Sequence, residues 1–170
     1  MVVRHIISVD PGDVHNGFCY FKHNDETGKA DLKIREVLSG KQLSDMLKVI
    51  WGMAQVKEPG ENEKNPFNMF FVVENFRVDT KSRGAIFQWK EMLTSEAIGR
   101  VKLCAEWAGA PVIMQEPSIL PMGRKYSPWP VPKGHIPDDI SAFIHGTHFM
   151  ITKRLIRTTD DITLFGQDRL

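Results

Sequence analysis

A chain of 170 residues that is 42% hydrophobic and 25% charged has the make-up of one globular domain with a real core, which excludes a disordered, fibrous or disulfide-stapled class. The formal net charge of +1 neither demands nor forbids nucleic acid, so only local clusters of charge bear on partners. No run reaches the length of a membrane span, none opens the sequence as a signal peptide, and the two cysteines, Cys19 and Cys104, fit reduced thiols in a cytoplasmic setting and give no zinc signature.

In chain order, Ile6-Ile7-Ser8-Val9-Asp10 is an apolar, β-branched run that stops on a carboxylate, and Pro11-Gly12 breaks it. Asn16 to Phe21 is a second apolar run, so the two form a hairpin; Leu32, Ile34 and Val37 add a third antiparallel strand. Leu43, Met46, Leu47, Ile50, Trp51 and Ala54 recur at helical spacing, which places an amphipathic helix over residues 41–55. Residues 57–68 read as a solvated linker. Met69-Phe70-Phe71-Val72-Val73 is continuously apolar, as a strand covered on both faces requires, and it too ends on an acid, Glu74. A basic loop follows, with Phe76, Arg77, Lys81 and Arg83, then a long helix over residues 85–109 and a short edge strand at Val112-Ile113-Met114. Residues 117–134 form a Pro-rich loop carrying Arg124, Lys125, Tyr126, Trp129 and Lys133. His135-Ile136-Pro137-Asp138-Asp139 opens a last helix that runs to about residue 157: Pro suits its first position and acids suit its first turn. The reading is one domain over 1–157 with a loose tail at 158–170, built as a mixed α/β sheet of five strands, three antiparallel then two parallel, with helices on both faces.

Asp10 alone is compatible with an acid that merely bonds the amides of its own turn. If its strand and the strand of Glu74 are parallel neighbours, however, both carboxylates emerge at one end of the sheet, where the sites of open α/β sheets gather. The last helix can bring Asp138 or Asp139 to the same place. Such a cluster of like charges calls for a divalent cation, and oxygen donors suit Mg²⁺ or Mn²⁺. Two ions about 3.5–4 Å apart can activate water and stabilise the leaving oxygen of a phosphodiester.

Val-Asp-Pro-Gly closing the first strand, Val-Val-Glu closing the fourth, and His-x-x-Asp-Asp opening the last helix resemble the RuvC-type Holliday junction resolvases of the ribonuclease-H-like superfamily, over residues 5–150. The compact length and divergent loops look like those of a phage-type member. The resemblance implies a ribonuclease-H-like fold, a homodimer acting on branched DNA by paired nicks, and metal ligands at Asp10, Glu74, His135 and Asp138 or Asp139, the choice between the two aspartates being open. It also implies DNA contacts from the loops around these acids, for which Phe76, Arg77, Lys81, Arg83, Arg100, Arg124, Lys125 and Lys133 are the candidates. Each lysine or arginine on phosphate adds salt-sensitive affinity, and Tyr126 and Trp129 either stack on bases or anchor their own loop. Three other readings stand beside this one: a nuclease of the same superfamily acting on flaps, forks or RNA strands, a non-catalytic DNA-binding module, and an actin-like ATPase. Asp13 in the first turn and the lack of a phosphate-binding loop count against the last.

Overall fold

The computed structural model describes residues 2–55, 68–75 and 89–164. The first strands form the expected meander: β1 (Val3–Asp10), β2 (His15–Asn24) and β3 (Lys29–Ser39), antiparallel throughout, with Asp10 opposite Gly17 across the first hairpin. Helix α1 (Gly40–Gln55) follows, then β4 (Met69–Glu74), α2 (Trp89–Trp107) and β5 (Val112–Gln115). Strand β4 runs parallel to β1 and β5 parallel to β4, so the two apolar runs that end on acids are neighbours at the centre of the sheet. The chain closes with α3 (Ile119–Gly123), α4 (Asp138–Thr152) and β6 (Ile162–Leu164) in a sheet of order β5-β4-β1-β2-β3-β6.

Alternation along the strands splits the core in two. Ile7, Val9, Phe18, Phe71 and Val73 face α1 and α2, while Ile6, Cys19, Phe21 and Val72 face Ala142, Phe143 and Phe149 of α4. Helix α4 is buried along nearly its whole length, because glycine lets it lie very close to the sheet. A Cβ on Gly17 would come within 1.8 Å of the Asp138 carbonyl oxygen, and one on Gly146 within 2.6 Å of the Phe21 ring.

Three expectations are corrected. The sheet has six strands, not five, since residues 162–164 of the supposed tail pair in parallel with β3 and bury Ile162 beside Ala30 and Leu32. The last helix begins at Asp138, with Pro137 extended as its cap, and ends at Thr152, where Arg154 takes up the left-handed conformation (φ 57°). The stretch 117–134 is no plain loop either: α3 and a 3₁₀ turn over Arg124–Tyr126 pack against α4, with Ile119, Leu120 and Tyr126 covering Ile140 and Ile144. Among the described residues no helix is long and apolar enough to cross a membrane.

Candidate active site

The register of the central strands sets the site. Ser8 pairs with Val72 and Val9 with Val73, so Asp10 and Glu74 end adjacent parallel strands at the same level. Ile6 and Val72 point to the α4 side, and the two-residue period carries that direction on to Asp10 and Glu74. Both acids therefore emerge beneath the first turns of α4. Gly17, opposite Asp10, is where the backbone of Asp138 and Asp139 touches the sheet. The result is a cleft of about 630 Å³ whose walls include Asp10, Glu74, Asp138 and Ser141, with His15, Arg124 and His135 around its mouth.

The two neighbouring aspartates part company here. A helix turns about 100° per residue. Asp138 lines the cleft, whereas Asp139 pairs with Arg35 Nε at 3.5 Å on the β3 side, where the Arg35 guanidinium also lies 3.7 Å from the centre of the Trp129 ring. His135 precedes the helix at the rim, its side chain 86% exposed and its Nε2 3.6 Å from Asp138 Oδ1.

Burial holds the Asp10 carboxyl well above the usual aspartate range; the charge of Glu74 and, more weakly, that of Asp138 push in the same direction, while a hydrogen bond from Ser141 opposes them. Burial also raises Asp138, against the pull of His135 and His15. Glu74 Oε2 accepts from the Ser141 hydroxyl at 3.1 Å and lies 3.0 Å from His145 Nε2. As placed, no three His, Cys, Asp or Glu side chains among the described residues enclose an ion position. The donor set nevertheless fits a hard divalent cation: carboxylate oxygens of like charge converge on one cleft, and the proton affinity of Asp10 marks a place where positive charge is wanted. Mg²⁺ or Mn²⁺ suits such donors better than a thiophilic metal.

The basic and aromatic candidates fall into several groups. Phe76, Arg77, Lys81 and Arg83 lie outside the described residues. Arg100 is engaged within the fold, bonding Gly40 O, Ser44 Oγ and Glu96 across the α1–α2 contact. Arg124 reaches the carbonyls of Pro132, Lys133 and Gly134, which ties down the segment leading to His135. Lys125 and Lys133 are exposed near the same rim. Trp129 packs edge-on against Phe143 at 4.9 Å and Tyr126 lies 6.2 Å from His148, so both anchor their segment on α4.

Three side chains at the site were not singled out from the sequence. His145 is fully buried between Glu74 and Gln115, with Nδ1 2.7 Å from Gln115 Oε1, and Ser141 reaches both central carboxylates. A histidine inside an apolar helix reads as core. The available signal was its spacing: Asp138, Ser141 and His145 recur at i, i+3 and i+7, one stripe of α4 facing the strand ends.

No protein-family profile matches the chain. No curated protein matches its sequence either. Its fold does match solved structures. A Thermus thermophilus RuvC in complex with a Holliday junction substrate superposes with a TM-score of 0.56 at 14% identity, over 89% of this chain and 96% of that one. A second T. thermophilus RuvC structure gives 0.54 at 16%, over 89% and 96%. The fowlpox virus resolvase, in complex with its Holliday junction substrate, gives 0.50 at 16%, over 88% and 98%. The strand-end acids, the α4 crossing and these superpositions agree: the chain has the ribonuclease-H-like fold of the RuvC-type resolvases.

Proposed function

We propose that this protein is a metal-dependent endonuclease that hydrolyses phosphodiester bonds in branched DNA and resolves Holliday junctions by paired nicks. The observation that carries the reading is the convergence of Asp10, Glu74 and Asp138 on one open cleft, from the ends of two parallel strands and the start of α4. Asp10, Glu74 and Asp138 would hold Mg²⁺ or Mn²⁺, two ions in the full site, with His135 at the rim as the fourth ligand. Bound there, the metal would supply an activated water and charge stabilisation for the leaving oxygen. The protein's own work is to orient these acids: Ser141 and His145 fix Glu74, and the start of α4 sets Asp138 over the strands. Asp139 acts through Arg35 in seating α4 and is not a ligand in this scheme.

Branched DNA would lie across the rim with Lys125 and Lys133 on phosphate; Phe76, Arg77, Lys81 and Arg83, the other candidates, lie outside the described residues. A homodimer would present two such sites to opposite strands of a junction. Exposed Leu93, Leu103 and Trp107 of α2, beside Trp51 of α1, are the apolar surface that supports pairing there, and a mass of twice 19.4 kDa by light scattering is the expected result. The two unpaired, buried cysteines support a cytoplasmic setting, in a bacterium or a phage-infected cell.

The test is cleavage of a labelled immobile four-way junction, a fork, a flap and linear duplex in Mg²⁺, Mn²⁺ or EDTA, with D10N and E74Q alongside. Paired junction nicks that require metal and vanish in both variants support the reading. Equal or better cutting of forks and flaps moves it to a broader branched-DNA nuclease. Tight junction binding without cutting under any metal overturns catalysis.

A further inference from the structure

We infer that His145, braced by Gln115, is a positioning residue that fixes one oxygen of Glu74 so that the other faces Asp10 and the cleft. The inference rests on the proposed metal site and deepens it. His145 is wholly buried on the third turn of α4, yet its ring touches polar atoms on both sides: Gln115 Oε1 at 2.7 Å and Glu74 Oε2 at 3.0 Å. A buried ring used only as filler would be better replaced by an apolar side chain, because every polar atom there must be satisfied. Gln115 ends β5 and pairs in register with Glu74 at the end of the adjacent β4, so strand pairing fixes its distance from the acid. The next step outward is tied as well, with Asn75 N bonded to Gln115 O at 2.6 Å and Asn75 Nδ2 to Glu116 Oε1 at 2.9 Å. With Glu74 ionised, as a cation ligand must be, the hydrogen at Nε2 belongs to the imidazole and donates to Oε2. Nδ1 is then an acceptor, which the Gln115 amide satisfies through its nitrogen once the two ends of that amide are exchanged. Ser141 donates to the same Oε2 at 3.1 Å, so one carboxylate oxygen takes both donors and the carboxylate plane is set. Outer partners of ligating carboxylates change metal affinity about 10–100-fold when removed.

The experiment is calorimetric titration of the full chain with Mn²⁺ in the absence of DNA, paired with thermal melts, for the parent, D10N, H145L, H145Q and Q115L. Loss of binding in D10N establishes that the titration reports the proposed site. We then expect H145L to weaken Mn²⁺ binding about 10–100-fold. H145Q, whose amide nitrogen can reach the place of Nε2, should recover most of the loss, and Q115L should fall between. A merely structural histidine predicts instead that affinity follows the melting temperature and that H145Q gives no rescue, which overturns the inference. Parent-like binding by H145L overturns it too. If H145L does not fold, parent-like affinity in Q115L has the same force. If D10N binds Mn²⁺ like the parent, the site itself has been misread, and the inference falls with it.

Discussion

Without metal, the strand-end acids work against the fold, and this gives a stability test independent of DNA. Asp10 is partly buried beside Glu74, and its carboxyl is held well above the usual range by that burial and by the Glu74 charge. Two unit charges about 4 Å apart repel by about 4 kcal/mol at an effective dielectric near 20. The single Ser141 hydroxyl hydrogen, which Asp10 and Glu74 must share, offsets roughly 1–2 kcal/mol of this across the pair. Replacing Asp10 with Asn should thus stabilise the metal-free protein by about 2 kcal/mol, or roughly 4–8 °C in Tm for a chain of this size. The sign with pH follows from linkage. A carboxyl whose folded pKa is raised makes the folded state hold a proton that the unfolded chain releases, so stability falls as pH rises between the two values. The gap between D10N and the parent should be widest above the raised folded pKa and should close as pH falls below the ordinary aspartate range. The assay is thermal unfolding by circular dichroism in EDTA across pH, repeated with Mg²⁺, which should raise the Tm of the parent but not of D10N. A D10N protein that melts at or below the parent in EDTA at neutral pH would refute the claim that these acids repel.

Four further outcomes follow from the contacts. Asp138→Asn should lower junction cleavage by at least about 100-fold, whereas Asp139→Asn, which alters only the Arg35 pair, should keep most activity and lose about 1 kcal/mol in urea unfolding. Gly17→Ala must push α4 off the sheet and should cost about 3 kcal/mol, while Gly99→Ala, on an exposed face of α2 with open space around it, should gain about 0.5–1 kcal/mol. Removing Lys125 or Lys133 should weaken junction binding and reduce the slope of log K against log salt by about 0.9 each, read by fluorescence anisotropy. Arg100→Ala should leave that slope unchanged, since its guanidinium is held by Gly40, Ser44 and Glu96, and should show its effect in stability instead.

The parts of this architecture that are local in sequence could be read from it. Ile6 to Asp10 and Met69 to Glu74 announce buried strands by their continuous apolar character, and the acid closing each run is visible as a break in that character. What depends on one element's rotation against another could not be read. Asp138 and Asp139 are chemically identical neighbours, and only the contact of α4 with Gly17 decides which of them meets the cleft. Strand β6 is three residues long, too short for a period of two to show, and it exists because Ile162 finds a buried place beside β3. The segment from 117 to 134 has a composition rich in Pro and Gly, yet its aromatics pack on α4, and that order comes from partners distant in sequence.

Helix α4 joins these observations into one device. Its face toward the strand ends carries the ligand candidate Asp138, the hydroxyl of Ser141 and the ring of His145, while the adjoining face carries Asp139 into the pair with Arg35. The acid and the two donors thus share a rigid body, so a rotation of α4 that displaced Asp138 would also strip Glu74 of both its hydrogen bonds. Three contacts oppose such a rotation: the backbone of Asp138 seated on Gly17, Gly146 against Phe21, and Arg35 clamped between Asp139 and Trp129. Close packing tolerates no intermediate angle here, because at both glycines there is no room even for a methyl group. The Asp10 and Glu74 carboxyls are therefore held side by side by the fold, and local movement does not part them.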